Sequence, residues 1–269
     1  MRLCFSLFFV VVISCQSKYL QVKFPFVNSA ERLTGSAFYD SVKSLNWKER
    51  EAIALPQLLA GNMPGFLFRF VAIHTSITDS ATGKTITATY FVSPDYVSIG
   101  TNDNWARLPL TPMAAQALAD GLHCFLPTRK MVNDIYLQAT VKLQPMPMFA
   151  YRDSSVTLYQ HHLMIEGQRQ GKKGLVAGIK KDVVISDKLT RSDKKEPVAI
   201  YGWHLLNGQP IQPLYTGHVN WYVDYSHGIR LVQRTVVVDG KKMDYADVMK
   251  EPVLRKLLSD EAFGDVYRY

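Results

Sequence analysis

The residues able to do chemistry crowd into the second half of the chain. His161, His162, His204, His218 and His227 share one stretch, and of the seven histidines only His74 and His123 lie outside it. Three phrases bring other reactive types alongside: Gly178-Ile179-Lys180-Lys181-Asp182, Tyr201-Gly202-Trp203-His204, and Asp224-Tyr225-Ser226-His227-Gly228-Ile229-Arg230. Imidazole, carboxylate, ammonium and guanidinium together suffice for proton transfer and for stabilising a developing anion. In that chemistry His227 or His204 is the general base, Asp224 or Asp182 orients an imidazole, and His161 is a further catalytic candidate. Arg230 and Lys181 are expected to bind substrate anion, with Trp203, Tyr225 and His218 as further substrate contacts.

Each phrase also has a plainer interpretation. A single His at a strand end is more often a hydrogen-bonded structural residue than a catalyst. Lys180 and Lys181 alone read as a solvated basic pair within an exposed, Lys/Arg-rich region over 169–195. The 224–230 phrase differs, because polar side chains, a glycine and an arginine abut apolar Leu231-Val232. Gly228 there permits close approach of a ligand or another backbone.

A zinc site is the next candidate, assembled from His161, His204 and His227 with Asp182 or Asp224. His161 and His162 are adjacent, and helical neighbours diverge by roughly 100°, so they are not expected to share one ion. The sequence has no His-Glu-x-x-His, no Cys-x-x-Cys, no phosphate-cradling glycine loop and no Gly-x-Ser-x-Gly elbow.

Ser226, His227, Gly228 and Arg230 resemble the active-site signature of the bacterial L,D-transpeptidases. That signature runs Ser-His-Gly-Cys, one further residue, then Arg, with another His upstream; His204 or His218 stands upstream here. Ile229 follows Gly228 directly, so the nucleophilic Cys is absent and the motif is one residue short. The resemblance implies a related cleft geometry, and Cys124 supplies a thiol only by arriving from elsewhere in the fold. In its own setting, Leu122-His123-Cys124-Phe125-Leu126, Cys124 is expected to be a buried structural thiol.

The N-terminus resembles a bacterial lipoprotein signal. Arg2 precedes an apolar run over 3–13, and the run closes in Val12-Ile13-Ser14-Cys15. Residues 1–14 are expected to be a signal peptide, with Cys15 acylated through a thioether that only a thiol offers, and 15–27 a lipid-anchored tether. The mature chain then sits in the cell envelope, at the outer membrane if the source is Gram-negative, and with one thiol left it forms no internal disulfide. Lys+Arg 31 against Asp+Glu 23 leaves a net charge of +8. For an exported, anchored protein that charge points to anionic polysaccharide, wall polymer or lipid headgroups and away from nucleic acid.

A hydrophobic fraction of 47% excludes a disordered chain. Helices are expected over 28–59, 113–122, 129–138, 156–169, 244–249 and 253–258. Strands are expected over 66–78, 85–93, 96–101, 174–186, 197–206 and 228–239, bounded by turn signals such as 61–65 and 81–84. The predicted fold is α+β with a mixed or largely antiparallel sheet and flanking helices. A helix-plus-sheet half over 28–145 precedes an α+β half over 146–269 that carries the site, either as separate units or together as one domain. The expected activity is an envelope-anchored hydrolase of a cell-wall or other extracellular polymer. The alternatives are a non-catalytic glycan- or wall-binding lipoprotein and a structural subunit of an envelope complex.

Overall fold

The structure is a computed structural model, and it describes residues 18–24, 32–262 and 268–269. Cys15, the apolar run before it and residues 16–17 and 25–27 of the expected tether lie outside the described residues.

The first half opens with β1 (Tyr19–Gln21), α1 (Gly35–Ser41) and α2 (Trp47–Leu59). The single helical stretch read over 28–59 is thus two helices with separate starts. Thr34 accepts from the Ala37 N–H at the first, and Asn46 with Glu49 forms a capping box at the second. β2 (Arg69–Thr78) and β3 (Thr85–Val92) form the expected hairpin, in register from Val71↔Val92 to Thr78↔Thr85. Next come the short pair β4 (Ser98–Gly100) and β5 (Trp105–Arg107), then α3 (Pro112–Gly121), β6 (Cys124–Phe125), α4 (Arg129–Gln138) and β7 (Val141–Lys142). Thr111 and Thr128 cap α3 and α4 through their hydroxyls.

The second half holds α5 (Ser155–Arg169), β8 (Val176–Ala177), β9 (Lys181–Val183), β10 (Pro197–His204), β11 (Pro210–Val219), β12 (His227–Gly228), β13 (Val232–Gln233), β14 (Thr235–Val238), β15 (Lys241–Asp244) and α6 (Tyr245–Lys250). Two expected long strands are subdivided. Gly178, at φ 97°, separates β8 from β9, and a Cβ there would lie 2.6 Å from the Leu143 carbonyl oxygen. The 228–239 run breaks into short pieces that serve different sheets. β11 escaped the sequence reading because Pro210 and Pro213 and its mixed exposure mark an edge strand.

The larger sheet runs β1-β2-β3-β13-β6, with β14 also on β3 and β15 on β14. The smaller runs β11-β10-β9-β12 and is antiparallel except where β12 lies parallel to β9. The fold is therefore α+β with largely antiparallel sheets. β3 from the first half receives β13 and β14 from the second, and one core holds Phe38, Leu58, Phe70 and Phe125 together with Ile200, Ile229 and Val232. No helix among the described residues is long and apolar enough to cross a membrane.

Candidate functional site

The small sheet gathers the reactive phrases. Lys181 of β9 is the backbone neighbour of both Gly202 on β10 and His227 on β12, so residues distant in sequence meet across three strands. The Lys181 ammonium lies 5.0 Å from the centre of the Trp203 ring. Trp203 itself has φ 57°, a left-handed conformation that is a true outlier for a bulky residue. It follows a register slip between Ile200 and Gly202 on the β11 side.

Asp224 anchors the cluster. Its Oδ1 accepts from the Ser226 N–H (2.8 Å) and hydroxyl (2.6 Å), while Oδ2 accepts from Arg152 Nη2 (2.8 Å) and the Tyr222 hydroxyl (3.2 Å). Burial alone would raise its pKa, but His227, the Ser226 donors and the Arg152 guanidinium hold the carboxyl well below the usual range. The His227 Nε2 lies 4.0 Å from Oδ1 of Asp224, too far for a hydrogen bond, and finds no partner among the described residues. Burial pushes this imidazole down to about 4, against the pull of Asp224, so it is neutral at pH 7. His218, half-buried, is 6.5 Å ring to ring from His227, and Tyr222 packs against both. Burial lowers His218 and Lys181 as well.

The structure brings His227, Asp224, His218, Lys181 and Trp203 together, sets the Tyr225 ring against Trp203 at 6.4 Å and under Arg152 at 5.5 Å, and seats the remaining candidates elsewhere. His161 donates to the Met146 carbonyl through Nε2 (3.2 Å), which leaves Nδ1 to accept from Lys180 Nζ (3.1 Å). Burial and the adjacent Lys180 push it to about 2. Tyr225 is buried, its hydroxyl accepting from the Met148 N–H (2.7 Å) and its ring edge against His161. Lys180 also donates to the Tyr225 carbonyl. These three adjoin the cluster through Tyr225.

Asp182, next to Lys181 on β9, points to the opposite face, as alternation requires. It accepts from the Tyr96 hydroxyl (3.0 Å), and burial raises it to about 7 despite Arg230 Nε at 3.9 Å. Arg230 is fully buried and donates to the carbonyls of Ser93 (2.8 Å) and Val176 (2.7 Å). His204 stacks on Tyr136 and bonds Asn133 through Nε2 (3.1 Å), with burial lowering it to about 4. With Tyr96, Val132 and Gly178, these residues line a cavity of about 10 Å³, the space of about one water.

Two expectations need correction. Lys180 and Lys181 are buried, at 1% and 8% exposure, rather than a solvated pair, because Lys180 turns in to His161 and the Tyr225 carbonyl and Lys181, on β9 between β10 and β12, packs over Trp203. The zinc assembly does not form: among the described residues no three His, Cys, Asp or Glu side chains could hold a metal ion. His161, His204 and His227 are each committed to a different neighbourhood. Cys124 is buried on β6 of the other sheet, its thiol facing the Leu122 carbonyl and raised in pKa by burial, and Ile229 is buried in the core.

Neither a family model, nor a curated protein, nor a solved structure matches this chain. The site therefore stands on its geometry. Arg152 and Tyr222 were missed by sequence reasoning, and a lone Arg in the loop before α5 carries no local sign that it will meet Asp224.

Proposed function

We propose that the chain is a hydrolase acting on an anionic polymer of the cell envelope, with His227 as its general base. The observation that supports this best is a neutral imidazole beside a fully ionised carboxylate that four donors hold in place. With Nε2 directed at Asp224, Nδ1 is the nitrogen left to take a proton from water. Asp224 then stabilises the imidazolium, and Lys181 and Arg152 offset negative charge developing on the substrate. Export and lipid attachment at Cys15 belong to the same reading, as does the excess of Lys and Arg.

A second reading, a non-catalytic glycan- or wall-binding lipoprotein, has one observation in its favour. Trp221 and Tyr215 are large, exposed aromatics flanking His218 in sequence, suited to stacking on sugar rings. The two readings part on one variant. Purified wall polymer incubated with the protein should release soluble fragments, and His227→Asn should lower that rate at least 100-fold while polymer pull-down stays within about threefold. Equal release by both proteins, or release by neither alongside retained binding, removes the hydrolase and leaves the binder.

A further inference from the structure

Trp203 is 7% exposed, and its indole N–H has no hydrogen-bond partner among the described residues. Leaving a buried donor unpaired forfeits its full desolvation cost, and here it sits on a residue whose backbone is also strained at φ 57°. Strain of that kind persists where the surroundings over-determine it, often at ligand clamps. The group beside the indole is a cation, because the Lys181 ammonium lies over the same ring. Arg152 adds a second positive charge, bonded to Asp224 through Nη2 while its own Nε is likewise unpartnered. Lys181 and Arg152 stand against the single carboxylate of Asp224, and the buried Lys180, lowered to about 7, adds positive charge behind them, so the setting of the indole is cationic.

We propose that Trp203, Lys181 and Arg152 form a binding site for one monoanionic oxyanion, its oxygen accepting from the Trp203 indole N–H and its charge meeting Lys181. This rests on reading the His227 cluster as a substrate site and names what that site grips: a carboxylate or a phosphodiester, the two monoanions that envelope polymers carry. A single donor N–H with one ammonium over the same ring suits a singly charged group, whereas a dianion brings a second charge that is more costly to desolvate in a partly buried setting.

The test is a titration of the full chain, ¹⁵N-labelled, with sodium acetate, dimethyl phosphate and sulfate at constant ionic strength. The four tryptophans give separate indole N–H signals, and Trp203→Phe identifies its own by loss. The expected result is a saturable shift confined to the Trp203 indole with acetate, dimethyl phosphate or both. Acetate alone identifies a carboxylate and dimethyl phosphate alone a phosphodiester. Lys181→Gln should weaken binding about tenfold and Trp203→Phe, read on the His227 ring signals, about fivefold. A Trp203 indole that no monoanion moves, shifts shared equally by all four indoles, or tighter binding of sulfate overturns the proposal. Turnover lost in His227→Asn without any anion response would sink this inference and leave the hydrolase standing; a saturable response without turnover would do the reverse.

Discussion

The two faces of β9 carry similar chemistry to opposite ends. On one, Asp182, Arg230 and His204 are buried charged or ionisable groups whose bonds go to a tyrosine hydroxyl, two backbone carbonyls and an asparagine. Arg230 Nε, facing Asp182 across 3.9 Å, is the exception. On the other, Lys181, Trp203, His227 and Arg152 surround a well-held Asp224, yet Trp203 Nε1, His227 Nε2 and Arg152 Nε all lack partners among the described residues. Both faces are charged and both perturb pKa values. What separates them is whether the fold itself consumes the hydrogen-bonding capacity. Where it does, as with Arg230 tying Ser93 to Val176, the polar group is an internal brace. Capacity left over next to half-buried His218 and Tyr222 is what the proposed anion site would use.

The strongest challenge to this contrast is Arg230→Met. It leaves Asp182 and two carbonyls without their cation, so the folding transition should fall by about 3–5 kcal/mol. Arg152→Met, at a partly exposed ion pair, should cost under about 1 kcal/mol, both read by denaturant melts. Comparable losses would erase the distinction between brace and site. Next in size is His227→Asn, expected to lose at least 100-fold in polymer turnover with its melt within about 1 kcal/mol of the parent. A collapse of stability instead would move His227 to the structural side.

Gly228 lies between the two faces and sharpens the comparison from a third direction. A Cβ there would stand 2.5 Å from Tyr96 Cδ1 and 2.6 Å from Lys180 Cβ, so Gly228→Ala should cost about 1–3 kcal/mol. Because the shift displaces both neighbours, activity should drop with it; a silent substitution would mean that the close approach is not needed.

The last effect is a pH slope. Asp182 is raised to about 7 in the folded chain against an unfolded value near 3.9. The folded state therefore holds its proton more tightly. The stability this contributes is complete below about pH 4 and is lost as pH rises through about 7. His227 and His204, lowered to about 4, act oppositely: their contribution is present above about 6.5 and is lost as pH falls through about 4. Asp182→Asn should remove only the decline between pH 4 and 7. An unchanged slope in that variant would place the titration on another group.

Much of the secondary structure was legible because its signals are local. The α4 boundaries follow from the Thr128 cap and the helical spacing of Met131 and Ile135, and α5 from its Ser154 cap. The β2–β3 hairpin follows from β-branched residues flanking a Gly83 turn. Edge strand β11 and the broken 174–186 run were less readable, since prolines blur the strand pattern in one and the reason for Gly178 in the other is a carbonyl from residue 143. The site was half legible. Asp224 and His227 share one phrase, and the Asx-type turn at Ser226 is encoded within three residues.

By itself, then, the sequence determined the helix starts, the α+β class and the short 224–230 motif, because caps, turns and periodicity act over a few residues. Tertiary structure alone decided that Lys181 and Trp203 join His227 while Asp182, one residue on, turns to the opposite face beside Arg230. It also decided that Lys180 is buried against His161 and that Arg152 reaches Asp224 across 72 positions. Those outcomes depend on strand pairing and side-chain alternation across a sheet, and no spacing along the chain carries that information.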